Sequence, residues 1–294
     1  MKARTRFSQR HPFLFGLALL TLAVVLVLGA SAIFRSSGGG GSGEDRLGVV
    51  YIEGMIVDAE PVVNFIHDLE DDPSIKGVLV RVDSPGGAIA PSQELYQAVR
   101  HLNEVMPVVA SYGVVAASGG YYASCPAERI VANPGSITGS IGVLLEYLDF
   151  HQLAEKVGVN LELLATGSQK GAGSPFRELT PEQREVFTGM LMDMHDQFVS
   201  DVAVARSMRK EKVLKLADGR AYTGRQARDN GLVDELGTFD DALEILMQYC
   251  GMEEFPELVQ GPVDEVPFID QVLGEGRLEQ LVQGLGPRLR FQYR

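Results

Sequence analysis

The chain has 294 residues, of which 45% are hydrophobic and 22% charged, with two cysteines and no tryptophan. This length and composition are typical of one large or two small globular domains, and they exclude collagens, disordered chains and disulfide-stapled miniproteins. The formal charge of -13 is unevenly distributed: residues 1–35 carry five basic and no acidic side chains, which leaves -18 for the remainder. Because the body is so acidic, we expect no nucleic-acid partner.

The N-terminus predicts a membrane anchor. Residues 1–11 are basic, and residues 12–34 form an uncharged, apolar run of 23 residues, whereas ~20 residues suffice for a helix to cross a bilayer. The basic flank predicts a cytoplasmic N-terminus, a single crossing of the cell (inner) membrane and an exported, extracytoplasmic body. Small residues at 28–32 leave a cleaved signal peptide as the alternative. We favour the uncleaved anchor, because signal-peptide cores usually span only ~7–15 residues.

Beyond the anchor, the sequence predicts three further regions. Residues 35–46 are rich in Gly and Ser, which is typical of a flexible linker, native or engineered. Residues 47–251 alternate strand and helix patterns, which predicts an α/β domain whose parallel sheet is joined by crossover helices. Residues 252–294 lack periodicity and predict a C-terminal tail. The predicted strands are Leu47–Ile52, Gly77–Val82, Val108–Tyr112 and Arg129–Ala132, and the predicted helices include Pro61–Leu69 and Pro91–Asn103.

A long helix is predicted to start after Thr180, since Pro181 suits the first helical position and Gln183 completes a capping box. The apolar residues that follow recur at helical spacing and predict a core or subunit contact. They are Phe187, Leu191, Met194, Phe198 and Val202. Whether Cys125 and Cys250 form a disulfide is left open.

Common catalytic motifs are missing from the chain. It contains no G-x-S-x-G elbow, no H-E-x-x-H helix, no phosphate-binding G-x-x-x-x-G-K-[ST] loop and no C-x-x-C pair. The five histidines fall singly, and His195 lies in the predicted long helix. We therefore expect no metal, no cofactor and no Ser-His-Asp triad.

Two Gly/Ser-rich segments each follow a predicted strand. In 83–87 (Asp-Ser-Pro-Gly-Gly) consecutive glycines allow backbone N–H groups to point into a cleft, as an oxyanion site requires; an ordinary tight turn is the alternative. In 116–122 (Ala-Ala-Ser-Gly-Gly-Tyr-Tyr) small residues leave the hydroxyl of Ser118 accessible at the start of a helix. The alternative interpretation is that Ser118 only caps this helix.

A third segment, 165–175, contains Lys170 among small uncharged residues, with no acidic residue between Glu162 and Glu178. A lysine acts as a base only when neutral, and apolar surroundings without an acidic partner favour the neutral form. A solvated surface lysine is the alternative. Together, a serine nucleophile, a lysine base and glycine-rich oxyanion donors would complete an acyl-transfer site without histidine. Ser140 could orient the lysine amine by a hydrogen bond.

These segments resemble the signal peptide peptidase A (protease IV) family of membrane-anchored serine peptidases. The resemblance spans roughly 47–250 and corresponds to the short, single-repeat form of that family. Its motifs are D-S-P-G-G at 83–87, A-A-S-G-G-Y-Y at 116–122, T-G-S-I-G-V at 138–143, S-Q-K-G-A-G-S-P at 168–175, A-D-G-R-A-Y-T-G-R-Q-A at 217–227 and G-L-V-D-E-L-G at 231–237.

The resemblance implies a Clp protease/crotonase-like fold and a Ser-Lys dyad. In that dyad Ser118 is the nucleophile and Lys170 the base, Gly87 and Gly119 supply oxyanion N–H groups, and Ser140 assists Lys170. It also implies a homo-oligomeric ring that degrades cleaved signal peptides and other unfolded hydrophobic peptides. The alternatives are a related peptidase that cleaves membrane-scaffold proteins, a crotonase-type acyl-CoA enzyme and a catalytically silent membrane scaffold.

Overall fold

The computed structural model describes residues 21–22, 45–262 and 290–293. The chain divides into two compact units, Met1–Glu44 and Asp45–Arg294. Of the predicted anchor, only Thr21 and Leu22 belong to the described residues, and both are helical. The rest of the anchor, the basic N-terminus and nearly all of the predicted linker lie outside the described residues. Within the described ranges, no helix has the length and apolar character needed to cross a membrane.

The second unit consists of strands and helices that largely alternate along the chain. The strands are β1 (Arg46–Ile56), β2 (Ile75–Ala88), β3 (Val108–Ala117), β4 (Arg129–Ala132), β5 (Ile137–Gly139), β6 (Leu144–Glu146), β7 (Ala221–Thr223), β8 (Glu235–Leu236), β9 (Leu258–Gly261) and β10 (Arg290–Tyr293). The helices are α1 (Glu60–Asp71), α2 (Ile89–Val105), α3 (Gly119–Ser124), α4 (His151–Lys156), α5 (Pro181–Ala205), α6 (Lys210–Leu214), α7 (Gly224–Asn230) and α8 (Phe239–Cys250).

The strands form one mixed sheet. Parallel pairs join β9 to β1, β1 to β2, β2 to β3, β3 to β4 and to β5, and β4 to β8. Antiparallel pairs join β10 to β2 and β6, and β5 to β7. The predicted α/β class is confirmed. The sheet is mixed because these short strands add to its mainly parallel centre.

β2 and β3 are longer than predicted. The sequence predicted that β2 ends at Val82 and β3 at Tyr112, but β2 continues to Ala88 and β3 to Ala117. The alternative interpretation of 83–87 as an ordinary tight turn is therefore wrong, since these residues belong to β2. Apolar periodicity could not reveal these extensions, because small residues occupy them and backbone pairing with β1 and β5 keeps them extended.

Residues 252–294, predicted as a tail, contribute two strands to the sheet. β9 pairs parallel with β1, and β10 pairs antiparallel with β2 and β6. The prediction of a tail needs this correction because each strand has only four residues, too few for a readable period. A Cβ on Gly261 would lie 2.8 Å from the Phe65 ring, so a glycine permits β9 to approach α1.

The central strands are buried on both faces, as their apolar sequences require. Val78, Val80 and Val82 belong to the core cluster that also contains side chains of α2, α3 and α5, whereas Leu79 packs in a second cluster with α8. The parallel strands, and the Gly/Ser-rich segments that belong to or follow them, therefore lie between two layers of helices.

The long helix begins as predicted. The Thr180 hydroxyl accepts a hydrogen bond from the Gln183 N–H, the Gln183 side chain accepts one from the Thr180 N–H, and Pro181 occupies the first turn. Its second half is buried at Phe198 and Val202, while its first half is largely exposed. The predicted apolar stripe therefore enters the core only in part.

Helix α3 is buried along its whole length and anchored by two tyrosines. Tyr122 packs on Phe198 with ring centroids 4.6 Å apart and donates a hydrogen bond to the Asp201 carboxylate. The Tyr121 hydroxyl donates to the Leu232 carbonyl at 3.1 Å. These contacts fix α3 to α5 and to the 231–237 segment.

The two cysteines do not pair. Both are free thiols, Cys125 buried and Cys250 half-buried. Burial raises the pKa of the Cys125 thiol well above its ordinary value, so this thiol stays protonated and unreactive near neutral pH.

Candidate active site

Ser118 lies on a sharp strand-to-helix turn between β3 and α3. Its backbone has φ 54° and ψ -117°, a conformation that non-glycine residues rarely adopt. Two hydrogen bonds hold the turn: the Ser118 N–H donates to the Gly139 carbonyl at 2.7 Å, and the Tyr122 N–H donates to the Ser118 carbonyl at 2.8 Å. Strained residues held in place by their surroundings concentrate at functional sites.

The Ser118 hydroxyl has no partner. The residue is fully buried, its Oγ forms no hydrogen bond within the described chain, and it does not cap α3. The interpretation of Ser118 as a helix cap is therefore wrong. An unpaired buried hydroxyl destabilises a fold by about 1–3 kcal/mol, and this group thus needs an explanation other than folding.

Glycines line the space beside Ser118. A Cβ on Gly119 would lie 2.4 Å from the Ser92 Oγ and 3.2 Å from the Gly87 nitrogen. A Cβ on Gly87 would lie 2.0 Å from the Ile56 carbonyl oxygen. Only glycine fits at both positions, and the fold brings the first two predicted segments into contact. The backbone nitrogen of Gly87 thereby lies next to Gly119 and the nucleophile candidate.

Ser140 lies one residue beyond the backbone partner of Ser118. It adopts a positive φ of 51°, its N–H donates to the Arg220 carbonyl at 3.0 Å, and its hydroxyl donates to the Gly219 carbonyl at 3.3 Å. Pairing of β5 with β3 and β7 positions it. The third motif and the 217–227 motif therefore meet beside Ser118.

Lys170 is exposed on the surface. Its N–H donates to the Gly167 carbonyl at 3.2 Å, and its small neighbours line an open cavity of about 260 Å³. Because the Ser118 hydroxyl has no hydrogen-bond partner among the described residues, Lys170 does not contact it there. The structure thus brings together Ser118, Gly87, Gly119 and Ser140, but not Lys170. No residue of 165–175 is buried, so side-chain packing does not anchor this segment.

Two residues near Ser118 were not singled out by the sequence. Ser92, on α2, is the first group that a side chain on Gly119 would meet, and a helical serine gives no pattern by which to find it. Asp83 accepts a hydrogen bond from the Val115 N–H at 3.1 Å. Its only sequence signal is its place at the start of the 83–87 motif.

An extended segment already pairs with the chain next to this site. In the antiparallel pair of β10 and β2, Tyr293 faces Gly87 and Gln292 faces Ala88. On its other side β10 pairs with β6. The backbone beside Gly87 therefore accepts a chain in the β-conformation.

Among the described residues, no histidine hydrogen-bonds to the Ser118 hydroxyl. His195 contacts the Ala217 carbonyl through Nε2 at 2.8 Å, and His151 contacts the Asp149 carboxylate at 2.5 Å. Among the residues that the structure describes, no group of three or more His, Cys, Asp or Glu side chains is arranged to hold a metal ion.

The chain is similar to known peptidases. Residues 100–253 match the model of peptidase family S49. A candidate protease of Synechocystis sp. is 39% identical over 217 residues, which cover 74% of this chain and 78% of the relative. A candidate signal peptide peptidase SppA of Enterococcus faecium is 39% identical over 62% of this chain and 54% of the relative. A solved ClpP1 mutant from Listeria monocytogenes is 16% identical with a TM-score of 0.45, covering 66% of this chain and 93% of that one.

The family match spans the segments that carry Ser118, Gly119, Ser140 and Lys170, and more than half of the chain. The chain therefore belongs to peptidase family S49 and is a serine-type peptidase.

Proposed function

We propose that this chain is a membrane-anchored endopeptidase of Clp protease/crotonase-like fold that cleaves signal peptides and other unfolded apolar peptides with a Ser118–Lys170 dyad. The observation that carries the proposal is the buried, unpartnered hydroxyl of Ser118 on a strained turn beside Gly87 and Gly119. Such a hydroxyl is not committed to an internal hydrogen bond and can act as a nucleophile once a substrate carbonyl reaches it.

The proposed reaction needs no cofactor. Lys170 takes the proton of the Ser118 hydroxyl as the oxygen bonds to the carbonyl carbon, and the carbonyl oxygen becomes an oxyanion. The N–H groups of Gly87 and Gly119 stabilise this charge. Collapse releases the amine end of the peptide, which takes the proton from Lys170, and leaves an ester on Ser118. Water then hydrolyses the ester by the same steps, with Lys170 again as the base.

Lys170 must approach Ser118 for this chemistry, and we infer that assembly drives the approach. The segment around Lys170, helix α4 and the first half of α5 expose apolar side chains, as an unassembled contact surface would. They include Leu148, Phe150, Leu153, Val157, Val159, Leu161, Leu163, Leu164, Phe176, Val186, Met190 and Met192. In a homo-oligomeric ring, burial of this surface would hold the lysine segment in one position, and Ser140 would help to orient the amine.

The substrate proposal rests on how the site accepts a chain. β10 pairs with β2 at Gly87, and a substrate that replaced β10 there would have to be extended, because only an extended backbone can pair with a strand. Folded proteins do not offer such a segment. The Enterococcus faecium relative is named for signal peptide cleavage. The apolar run at 12–34 would anchor the exported body near the membrane in which such peptides remain.

A direct test compares three substrates for the full chain in detergent micelles. We expect the chain to cleave a synthetic signal peptide, to cleave a polar unfolded peptide more slowly and to leave a folded protein intact. Mass spectrometry of the products would measure the cleavage. Preferred cleavage of a membrane-scaffold protein over the signal peptide would favour the alternative peptidase. No cleavage of any of the three would contradict the proposal.

Replacing Gly119 tests the oxyanion assignment. A Gly119→Ala side chain would lie 2.4 Å from the Ser92 Oγ and 3.2 Å from the Gly87 nitrogen. The resulting shift of the Gly119 and Gly87 N–H groups should lower kcat about 100-fold or more, as loss of one oxyanion donor does. KM should change little. Kinetics with a fluorogenic peptide would measure both constants.

The matched control is Gly135→Ala, because Gly135 has open space around its Cβ position and no positive φ. It should keep wild-type kinetics. The double variant Gly119→Ala, Ser92→Ala removes the nearest clash and should recover part of kcat. Wild-type kcat in Gly119→Ala alone would refute the role of this glycine.

A further inference from the structure

The strand that leads into Ser118 contains a bulge. In the parallel pair of β2 and β3, Val82 faces Tyr112, but the next matched pair is Ser84 and Ala116. One residue of β2, Asp83, therefore lies opposite the three residues 113–115 of β3. Such a bulge breaks the ladder of hydrogen bonds and redirects the strand. Beyond it, β3 pairs with β5, and Ser118 follows directly.

Side chains hydrogen-bond to the backbone of β3 in and beside the bulge. The Asp83 carboxylate accepts the Val115 N–H at 3.1 Å. On the other side, the Ser136 hydroxyl donates to the Gly113 carbonyl at 2.6 Å, and the Thr138 hydroxyl donates to the Ala116 carbonyl at 2.7 Å. Asp83 is the acceptor in this set and comes from the opposite strand, so it ties β2 to the redirected part of β3.

The fit of Asp83 against the bulge is close. A Cβ on Gly113 would lie 2.9 Å from Asp83 Oδ2, so glycine is needed for the carboxylate to reach the backbone. Val114, which lies between Gly113 and Val115, is 72% exposed. The bulge therefore has little apolar packing of its own. The hydrogen bond from the Val115 N–H to Asp83 therefore holds this part of β3 in place, whereas apolar packing holds the rest of the strand.

We propose that Asp83 is a positioning residue of this peptidase: by accepting the Val115 N–H it sets the path of β3 and with it the place of Ser118 relative to Gly87. The proposal rests on the proposed role of Ser118. Asp83 lies on β2, four residues before Gly87, and its carboxylate is bound to the Val115 N–H, so we assign it no contact with the substrate. Its effect should therefore appear in kcat rather than KM, since a misplacement of ~1 Å can slow a reaction ~100-fold.

Kinetics of two substitutions at Asp83 test the proposal. Asp83→Ala removes the acceptor and should lower kcat about 10- to 100-fold with KM little changed. Asp83→Asn keeps an oxygen that can accept the Val115 N–H and should restore most of kcat. Gly113→Ala, which pushes the carboxylate away, should behave like Asp83→Ala. Unchanged kcat in Asp83→Ala, or equal loss in Asp83→Asn and Asp83→Ala, would overturn the proposal.

The control is Asp72, which binds the backbone just before β2 begins. Asp72 accepts the Ser74 N–H at 2.9 Å just before β2 and also binds the Ser74 hydroxyl and the Arg46 guanidinium. Asp72→Ala therefore removes a backbone hydrogen bond of the same kind, and two side-chain contacts, at the N-terminal end of β2. It should lower the melting temperature without lowering kcat. If kcat fell in both variants only in proportion to the fall in melting temperature, Asp83 would be merely structural.

Amide hydrogen exchange provides a readout without activity. In a Ser118→Ala background, Asp83→Ala should speed exchange of the Val115 amide and of the peptide 113–118, and leave the start of β2 protected. If the wild-type chain cleaves nothing, the proposed function fails while this measurement still decides the role of Asp83. Unchanged exchange at Val115 would refute it.

Discussion

Ser118→Ala should abolish peptide cleavage and leave the fold at least as stable as wild type. Loss of a nucleophilic serine typically lowers kcat by roughly 10⁴-fold or more. Because the Ser118 hydroxyl is buried without a hydrogen-bond partner in the described chain, its removal should raise the free energy of unfolding by up to about 1 kcal/mol. Kinetics on a fluorogenic peptide with an apolar P1 residue and a chemical denaturation curve would measure the two effects.

The matched control is Ser124→Ala on the same helix. Ser124 is equally buried, but its hydroxyl donates to the Gly120 carbonyl at 2.8 Å and pairs with the Tyr112 hydroxyl at 3.0 Å. Its removal should destabilise the protein by about 1–3 kcal/mol and leave kcat nearly unchanged. If Ser118→Ala kept wild-type activity, the nucleophile would be another residue and the proposed site would be wrong.

Lys170→Ala and Lys170→Arg should both lower kcat about 10²- to 10⁴-fold, the usual contribution of a general base. Arginine keeps the positive charge but cannot lose its proton in a protein, so it cannot replace a base. Steady-state kinetics with a fluorogenic peptide would measure the loss in both variants.

Lys156→Ala is the control, since Lys156 ends α4 close in sequence to the same exposed region. It should keep wild-type kinetics. Full activity in Lys170→Arg would mean that charge rather than proton transfer matters at this position. Because Lys170 is exposed, the proposed assembly predicts that specific activity also rises with protein concentration.

The elements with strong periodicity could be predicted from the sequence. β4 was predicted at its observed bounds, and the start of α5 followed from the Thr180 capping box. The strand ends were missed, because β2 and β3 continue through residues such as Gly86 and Ala116 that carry no apolar alternation. Such segments are strands only because a neighbouring strand pairs with them.

The site shows the same division. The residue types of Ser118, Gly87 and Gly119, together with their order along the chain, determined the chemistry that the sequence can support. Only the tertiary structure decided that Gly119 packs on Gly87, that the Ser118 hydroxyl lacks a partner, and that Asp83 holds the bulge. The physical reason is that side-chain chemistry and local periodicity are properties of neighbouring residues. Close backbone approach, burial and register instead depend on strands far apart in the chain, and sequence spacing does not encode which of them meet.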